Sequence, residues 1–244
     1  MTATFQETLA MRAWKALDTV VDPELDQPIT ELGFVAALSV TPIESGGHEV
    51  HVLLRLPTYF CAPNFAYLMV ADAHDAVLAV HGVKTARVEL ADHFASEEIN
   101  AGVAAEEGFG TAFPGQGVGS DRHALEELRL TFRRKAHLAC LERTCRQLIR
   151  AGWQIDALAD TTIGEVPDSP ERESLLRRRA ELGISNGPGA PLFVESTGER
   201  VSSEQLPAKL RFAKAVRISI EGNSGLCRGL LDTRLERMAE EAQG

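Results

Sequence analysis

The stretch VHVLLRLPTYFC, residues 50–61, decides how the first part of the chain is read. Val50 to Leu56 is a short run rich in aliphatic and β-branched residues, and it predicts a strand. Pro57 ends that strand, because proline has no N–H to give to a ladder. Four residues later Cys61 stands at the edge of Ala62–Val80, an alanine-rich stretch that predicts a helix. Working back from the strand, Ser45-Gly46-Gly47 reads as a turn and Phe34–Val40 as a partner strand, so the two form a hairpin. Further back, Pro23 and Pro28 enforce a rigid loop, and Phe5–Leu17 carries apolar residues at helical spacing. Working forward, His81-Gly82 closes the long helix and Val83–Leu90 predicts a third strand. The order α-β-β-α-β predicts an α+β domain with helices on one face of a short sheet, complete within residues 1–95.

Residues 96–120 read as a Gly-rich linker, with Glu106–Ser120 its densest part. That loop lacks the Lys-Ser/Thr pair and the leading strand of a phosphate-cradling loop. Residues 121–244 read as a mainly helical extension. Asp121 is a good N-cap for a helix running to about Arg150, with Gly152 as its stop. Residues 170–182 predict a second helix. Pro191–Ser196 and Ala215–Ile220 predict short strands, and Asn223 or Ser224 the cap of a final helix.

The formal net charge of −10 argues against nonspecific nucleic-acid binding, which needs basic surface. No apolar run approaches the length that spans a bilayer. The N-terminus lacks the basic and apolar regions of a secretory signal. The expectation is a cytoplasmic protein whose four cysteines, Cys61, Cys140, Cys145 and Cys227, are reduced thiols.

Three short pieces of the first domain carry chemistry together. Asp22-Pro23-Glu24-Leu25 puts two carboxylates in a loop directly after a helix. Glu31-Leu32-Gly33 places a glycine where a special backbone angle precedes a strand. Thr58-Tyr59-Phe60-Cys61 puts a thiol between a strand end and a helix start. A cysteine there faces unpaired N–H groups and the positive end of the helix dipole, which favour thiolate. Thiolate is the form that binds iron. If the loops converge, Asp22, Glu24 and Thr58 surround that sulfur with oxygen. The plainer reading is a turn with a capping acid and a small buried thiol.

Ala13–Leu90 resembles the SufT/PaaD-type family of metal–sulfur cluster biosynthetic proteins. The resemblance rests on Asp22-Pro23-Glu24-Leu25, then Ile29 and Leu32-Gly33, then Thr58 and Cys61 at Thr-x-x-Cys spacing, and His81-Gly82-Val83. The chain departs from the family pattern at Ala62, where proline commonly follows the cysteine, and at Pro57. It also lacks the paired Cys-x-x-Cys metal site of PaaD-like members. The resemblance implies an accessory factor, not an enzyme, in iron–sulfur cluster assembly or metalloprotein maturation. It implies Cys61, with Asp22 and Glu24, as metal- or cluster-binding residues, supported by Thr58, Leu25 and Gly33. The iron or cluster would be held transiently, with no tightly bound cofactor. The implied partner is a client metalloenzyme, with the hydroxylase of a soluble di-iron monooxygenase as one client class; a homodimer stays open.

Other clusters weigh less. His137 and Cys140 are three apart on a predicted helix, but Cys145 lies too far round to share their metal, so buried core cysteines are the expectation. Asp92-His93 with Glu97 and Glu98 reads as an acidic helix start. Arg133-Arg134-Lys135 and Arg177-Arg178-Arg179 read as solvated faces or as patches for an acidic partner. No nucleophile motif stands at helpful spacing for a hydrolase. A chaperone-like protein–protein adaptor is the alternative function.

Overall fold

The computed structural model describes residues 2–106, 109–113 and 122–241. Residues 107–108 and 114–121, which hold part of the expected Gly-rich linker and the expected Asp121 cap, lie outside the described residues. The chain divides into two compact units, Met1–Glu127 together with Asn223–Gly244, and Leu128–Gly222.

In the first unit, α1 (Thr2–Leu17) leads into a two-residue antiparallel pair, β1 (Val21–Asp22) and β2 (Gln27–Pro28). The main sheet is β3 (Val35–Pro42), β4 (His48–Arg55) and β5 (Val83–Ala91), in that spatial order. β3 and β4 form the expected antiparallel hairpin, while β5 joins β4 in parallel, Val52 opposite Val88. A parallel neighbour needs a crossover. Here α2 (Pro63–Leu78) supplies it. Val50, Val52 and Leu54 alternate along β4 and are buried with Ala13 and Leu17 of α1 and Met69, Val70, Ala73 and Val77 of α2. The expected α+β class and its α-β-β-α-β order are therefore present.

Residues 96–113 differ from the linker reading. Ser96–Ala104 forms α3 and Phe109–Ala112 forms α4. Ile99, Val103, Phe109 and Phe113 are buried in the core of the first unit. Gly102 allows the close approach of these helices, since a Cβ on it would meet the Ala112 Cβ at 2.6 Å. Apolar residues spaced at 99, 103, 109 and 113 outweigh the local glycine content.

The second unit is built on α5 (Arg122–Arg150) from Leu128 onward, two short 3-10 turns, α6 (Pro170–Glu181) and α7 (Leu206–Glu241) up to Gly222. Its core gathers Leu141, Leu148, Leu158, Leu175, Leu192 and Phe193, with Cys140 and Cys145 among them. Burial pushes the Cys145 thiol up to about 12, as expected of core cysteines. His137 is fully buried, and burial followed by the nearby Arg179 charge lowers it to about 4.

Three readings in this region need correction. Pro191–Ser196 is not a strand; Pro191 and Val194 make only isolated bridges, to Thr162 and Arg200. Ala215–Ile220 lies inside α7, where Ala213, Arg217, Ile220 and Ser224 are buried at helical spacing. The local alternation of that segment misleads because the helical period spans a longer window. In Arg177-Arg178-Arg179 only Arg177 is exposed. Arg178 pairs with Glu181, and Arg179, only 1% exposed, donates to the carbonyls of Ser185, Pro191 and Leu192. It fastens the irregular segment after α6, whose carbonyls have no ladder to satisfy them. Among the described residues, no helix is long and apolar enough to cross a membrane.

Candidate functional site

Asp22 ends β1, and its Oδ1 accepts the backbone N–H groups of Glu24 at 2.8 Å and Leu25 at 2.9 Å. This side-chain turn curls the acidic loop on itself. Leu25, Ile29 and Leu32 then pin the loop into the core. Asp22 is itself buried, which pushes its carboxyl from 3.8 to about 6. The two backbone donors pull it down and the Glu24 charge adds to the rise. Gly33 adopts a φ of +77°, and a Cβ there would come 3.4 Å from Leu231 Cδ2. The glycine expected from the sequence thus serves the turn, while the Leu231 contact alone would tolerate a Cβ.

Cys61 lies one residue before Ala62, the N-cap of α2, and is half-buried. Its Sγ sits 3.2 Å from Thr58 Oγ1, so the hydroxyl and the thiol share a hydrogen bond, as the Thr-x-x-Cys spacing anticipates. His93 fixes the same loop from the other side. Its Nε2 lies 2.8 Å from the Cys61 carbonyl oxygen, and its Nδ1 accepts the Ala95 N–H at 3.2 Å. Those two bonds assign the proton to Nε2. His93 is buried, whereas Glu97 and Glu98 are exposed in the first turn of α3, in line with an acidic helix start. Around the thiol, Tyr59, Phe60 and Phe94 are 58%, 74% and 46% exposed. The Phe94 N–H donates to the Tyr59 carbonyl at 3.0 Å, joining the two aromatic loops.

The final stretch of α7, Asn223–Glu241, belongs to this first unit and docks on the same loops. Asn223 Nδ2 donates to Glu24 Oε1 at 3.3 Å, and Ser224 and Arg228 both donate to Gln27 Oε1. Arg234 donates to the carbonyls of Leu56 and Asp92 at 2.8 Å each. Residues 224, 227, 228, 231 and 234 fall on one helix face, and Cys227 is on it. Cys227 packs, like Cys61, against the core of the unit. Burial lifts its thiol to about 11, followed by the charges of Asp22, Cys61 and Glu24, so all three groups act on this sulfur. Among the described residues, no three His, Cys, Asp or Glu side chains converge as a metal-holding group.

Residues 12–90 match the family model described as iron–sulfur cluster assembly protein. The match runs from α1 to the end of the main sheet and is consistent with the SufT/PaaD-type resemblance. It supports a general role in iron–sulfur cluster assembly. Comparison with curated proteins and with solved structures gave no match. Asp22, Glu24, Thr58 and Cys61 lie inside the segment matched to the assembly family; His93 and Cys227 lie outside it. Sequence reasoning placed His93 in an acidic cluster and Cys227 only as a spare cysteine. For Cys227 the available signal was helical spacing, with Ser224, Arg228 and Leu231 marking its face.

Proposed function

We propose that the protein is an accessory maturation factor, with Cys61 as its working thiol and iron or an iron–sulfur cluster as transient cargo. The observation that carries this reading is the placement of Cys61. A half-buried thiol, bonded to Thr58 and held by its own carbonyl to His93, sits beside exposed aromatic residues on a domain matched to the assembly family. Thiolate sulfur is a suitable donor for iron, and the Asp22 and Glu24 carboxylates carry negative charge into the same region. Remaining coordination positions would belong to water or to ligands of the client. Such shared coordination suits cargo that must leave. The exposed aromatics suit contact with that client, since such side chains dominate protein interfaces.

The client is a metalloenzyme, and the class to test first is the hydroxylase of a soluble di-iron monooxygenase, which the family resemblance implies. The experiment is co-expression of such a hydroxylase with the wild-type protein, with Cys61→Ser, or alone. Iron per hydroxylase and its activity are the readouts. The wild-type protein raises both and Cys61→Ser does not, while its melting temperature stays within a few degrees. Equal iron and equal activity in all three samples refute the reading. Full activation by Cys61→Ser leaves the protein–protein adaptor as the function.

A further inference from the structure

The second unit is basic on an acidic chain. Leu128–Gly222 holds sixteen Lys and Arg against twelve Asp and Glu, although the whole chain has a net charge of −10. Much of this charge is consumed internally, by Arg178, Arg179 and Arg217 among others. Other cations are not, and three of these line the same groove. Arg146 on α5 and Arg211 and Lys214 on α7 have no hydrogen-bond or ion-pair partner among the described residues. They line one groove of about 300 Å³ whose floor is Ile149, Ile155, Pro207 and Leu210. Glu142, at the same groove, is engaged by the buried Arg217 and does not neutralise them. Ile155 is 43% exposed, and Ile218, one turn beyond Lys214 on α7, is 52% exposed.

We propose that this groove docks an acidic amphipathic helix of the client protein. Positions 207, 210, 211, 214 and 218 mark one side of α7 over about three turns, roughly 16 Å. A partner helix of that length lays apolar residues at i, i+3/i+4 and i+7 onto Ile149, Ile155 and Leu210. Its flanking Asp and Glu meet Arg146, Arg211 and Lys214, and charge complementarity sets both the choice of partner and the rate of encounter. The inference deepens the client reading and rests on it: the second unit recognises the client and the first handles cargo.

The test uses the full-length protein and a fluorescein-labelled helical peptide with Leu at i, i+4, i+7 and i+11 and Glu at the flanking positions. Fluorescence anisotropy gives saturable binding in the micromolar range, about −8 kcal/mol. Raising salt from about 0.05 M to about 0.5 M weakens it at least five-fold, as expected for exposed charges. The R146E/R211E/K214E triple variant loses at least ten-fold. The neutral R146Q/R211Q/K214Q variant loses less and guards against misfolding, which circular dichroism also monitors. Charge reversal at Arg133 and Arg134, exposed on α5 outside the groove, changes affinity less than two-fold. Equal binding of a Lys-flanked peptide, or an unchanged affinity in a folded triple variant, overturns the proposal. So does an equal loss on reversal at Arg133 and Arg134, or groove-dependent binding of phosphatidylglycerol vesicles in place of the peptide. The assay contains no iron, so its failure leaves the Cys61 reading standing, and failure of the iron-loading test leaves this docking result standing.

Discussion

Asp22→Asn is expected to stabilise the first unit at neutral pH. Asp22 is only 7% exposed, and its carboxyl is raised from 3.8 to about 6, with burial as the largest cause. The buried group therefore binds its proton more tightly in the folded than in the unfolded chain. Below about pH 3 both states are protonated and the carboxyl costs little. Above about pH 7 both are ionised, and the folded state bears the full cost of the buried charge. About two units at 1.36 kcal/mol each make that cost on the order of 3 kcal/mol. Asparagine keeps an oxygen for the Glu24 and Leu25 N–H groups and has no charge to bury. The stability of the wild type relative to Asp22→Asn should therefore fall by about 2–3 kcal/mol between about pH 4 and pH 7 and stay flat above it.

Urea unfolding from pH 4 to pH 8 measures this difference. The background is Trp153→Phe, which leaves Trp14 as the fluorescent reporter of the first unit. A wild-type/variant difference independent of pH refutes the reasoning, as does a variant less stable than wild type at pH 7. The same substitution removes one of the charges that hold the Cys227 thiol up, so Cys227 should titrate at lower pH in the variant.

The other expectations are brief. Arg179→Met should destabilise the second unit by about 2–4 kcal/mol in chemical denaturation, because three carbonyl groups, one of them buried, lose their donor. Cys227 should react with iodoacetamide about ten-fold faster for each pH unit between 8 and 10, read by peptide mass spectrometry, because only its thiolate reacts. The fragment 1–112 should melt well below the full chain's first unit, since it lacks Leu231, Cys227 and the Arg234 bonds. Fusing residues 223–241 to residues 1–127 should restore most of the loss, measured by circular dichroism.

The sheet and its crossover helix were legible because VHVLLRL, Ser45-Gly46-Gly47 and His81-Gly82 are local signals whose period and turn chemistry agree with the tertiary outcome. The Asp22 turn and the Thr58–Cys61 bond were legible because both partners lie within three residues. What failed was non-local. His93 reaches Cys61 across 32 residues, and nothing in Asp92-His93 distinguishes a buried ring from a solvated one. Arg179 is part of an Arg-Arg-Arg run that composition reads as surface, yet its donors satisfy carbonyls six to thirteen residues away. Ala215–Ile220 alternates like a strand, and only the buried set at 213, 217, 220 and 224 identifies the helix.

Cys227 is the strongest case of the same limit. The segment Asn223–Glu241 returns to the first unit across an intervening unit of ninety-five residues, Leu128–Gly222. Closing a flexible loop of that length costs about 4 kcal/mol of chain entropy. Prior folding of the intervening unit lowers that cost without removing it. The contacts that offset it are Leu231 in the core beside Gly33, Arg234 on two carbonyls, and Ser224 and Arg228 on Gln27. These anchors bracket Cys227 along the helix, so the contacts that return the segment also fix where its thiol faces. The matched segment 12–90 supplies Asp22, Glu24 and Cys61, and the far end of the chain adds a thiol on which all three act. A thiol held so far up is protonated at neutral pH; under the reading proposed above, its thiolate would offer a second sulfur to the cargo. A thiophilic metal would drive that deprotonation, so cargo binding at the proposed site should release protons, and more in the wild type than in Cys227→Ser. Isothermal titration calorimetry of the chain with ferrous iron in two buffers of different ionisation enthalpy counts those protons. An identical count for wild type and Cys227→Ser would leave Cys227 as packing alone.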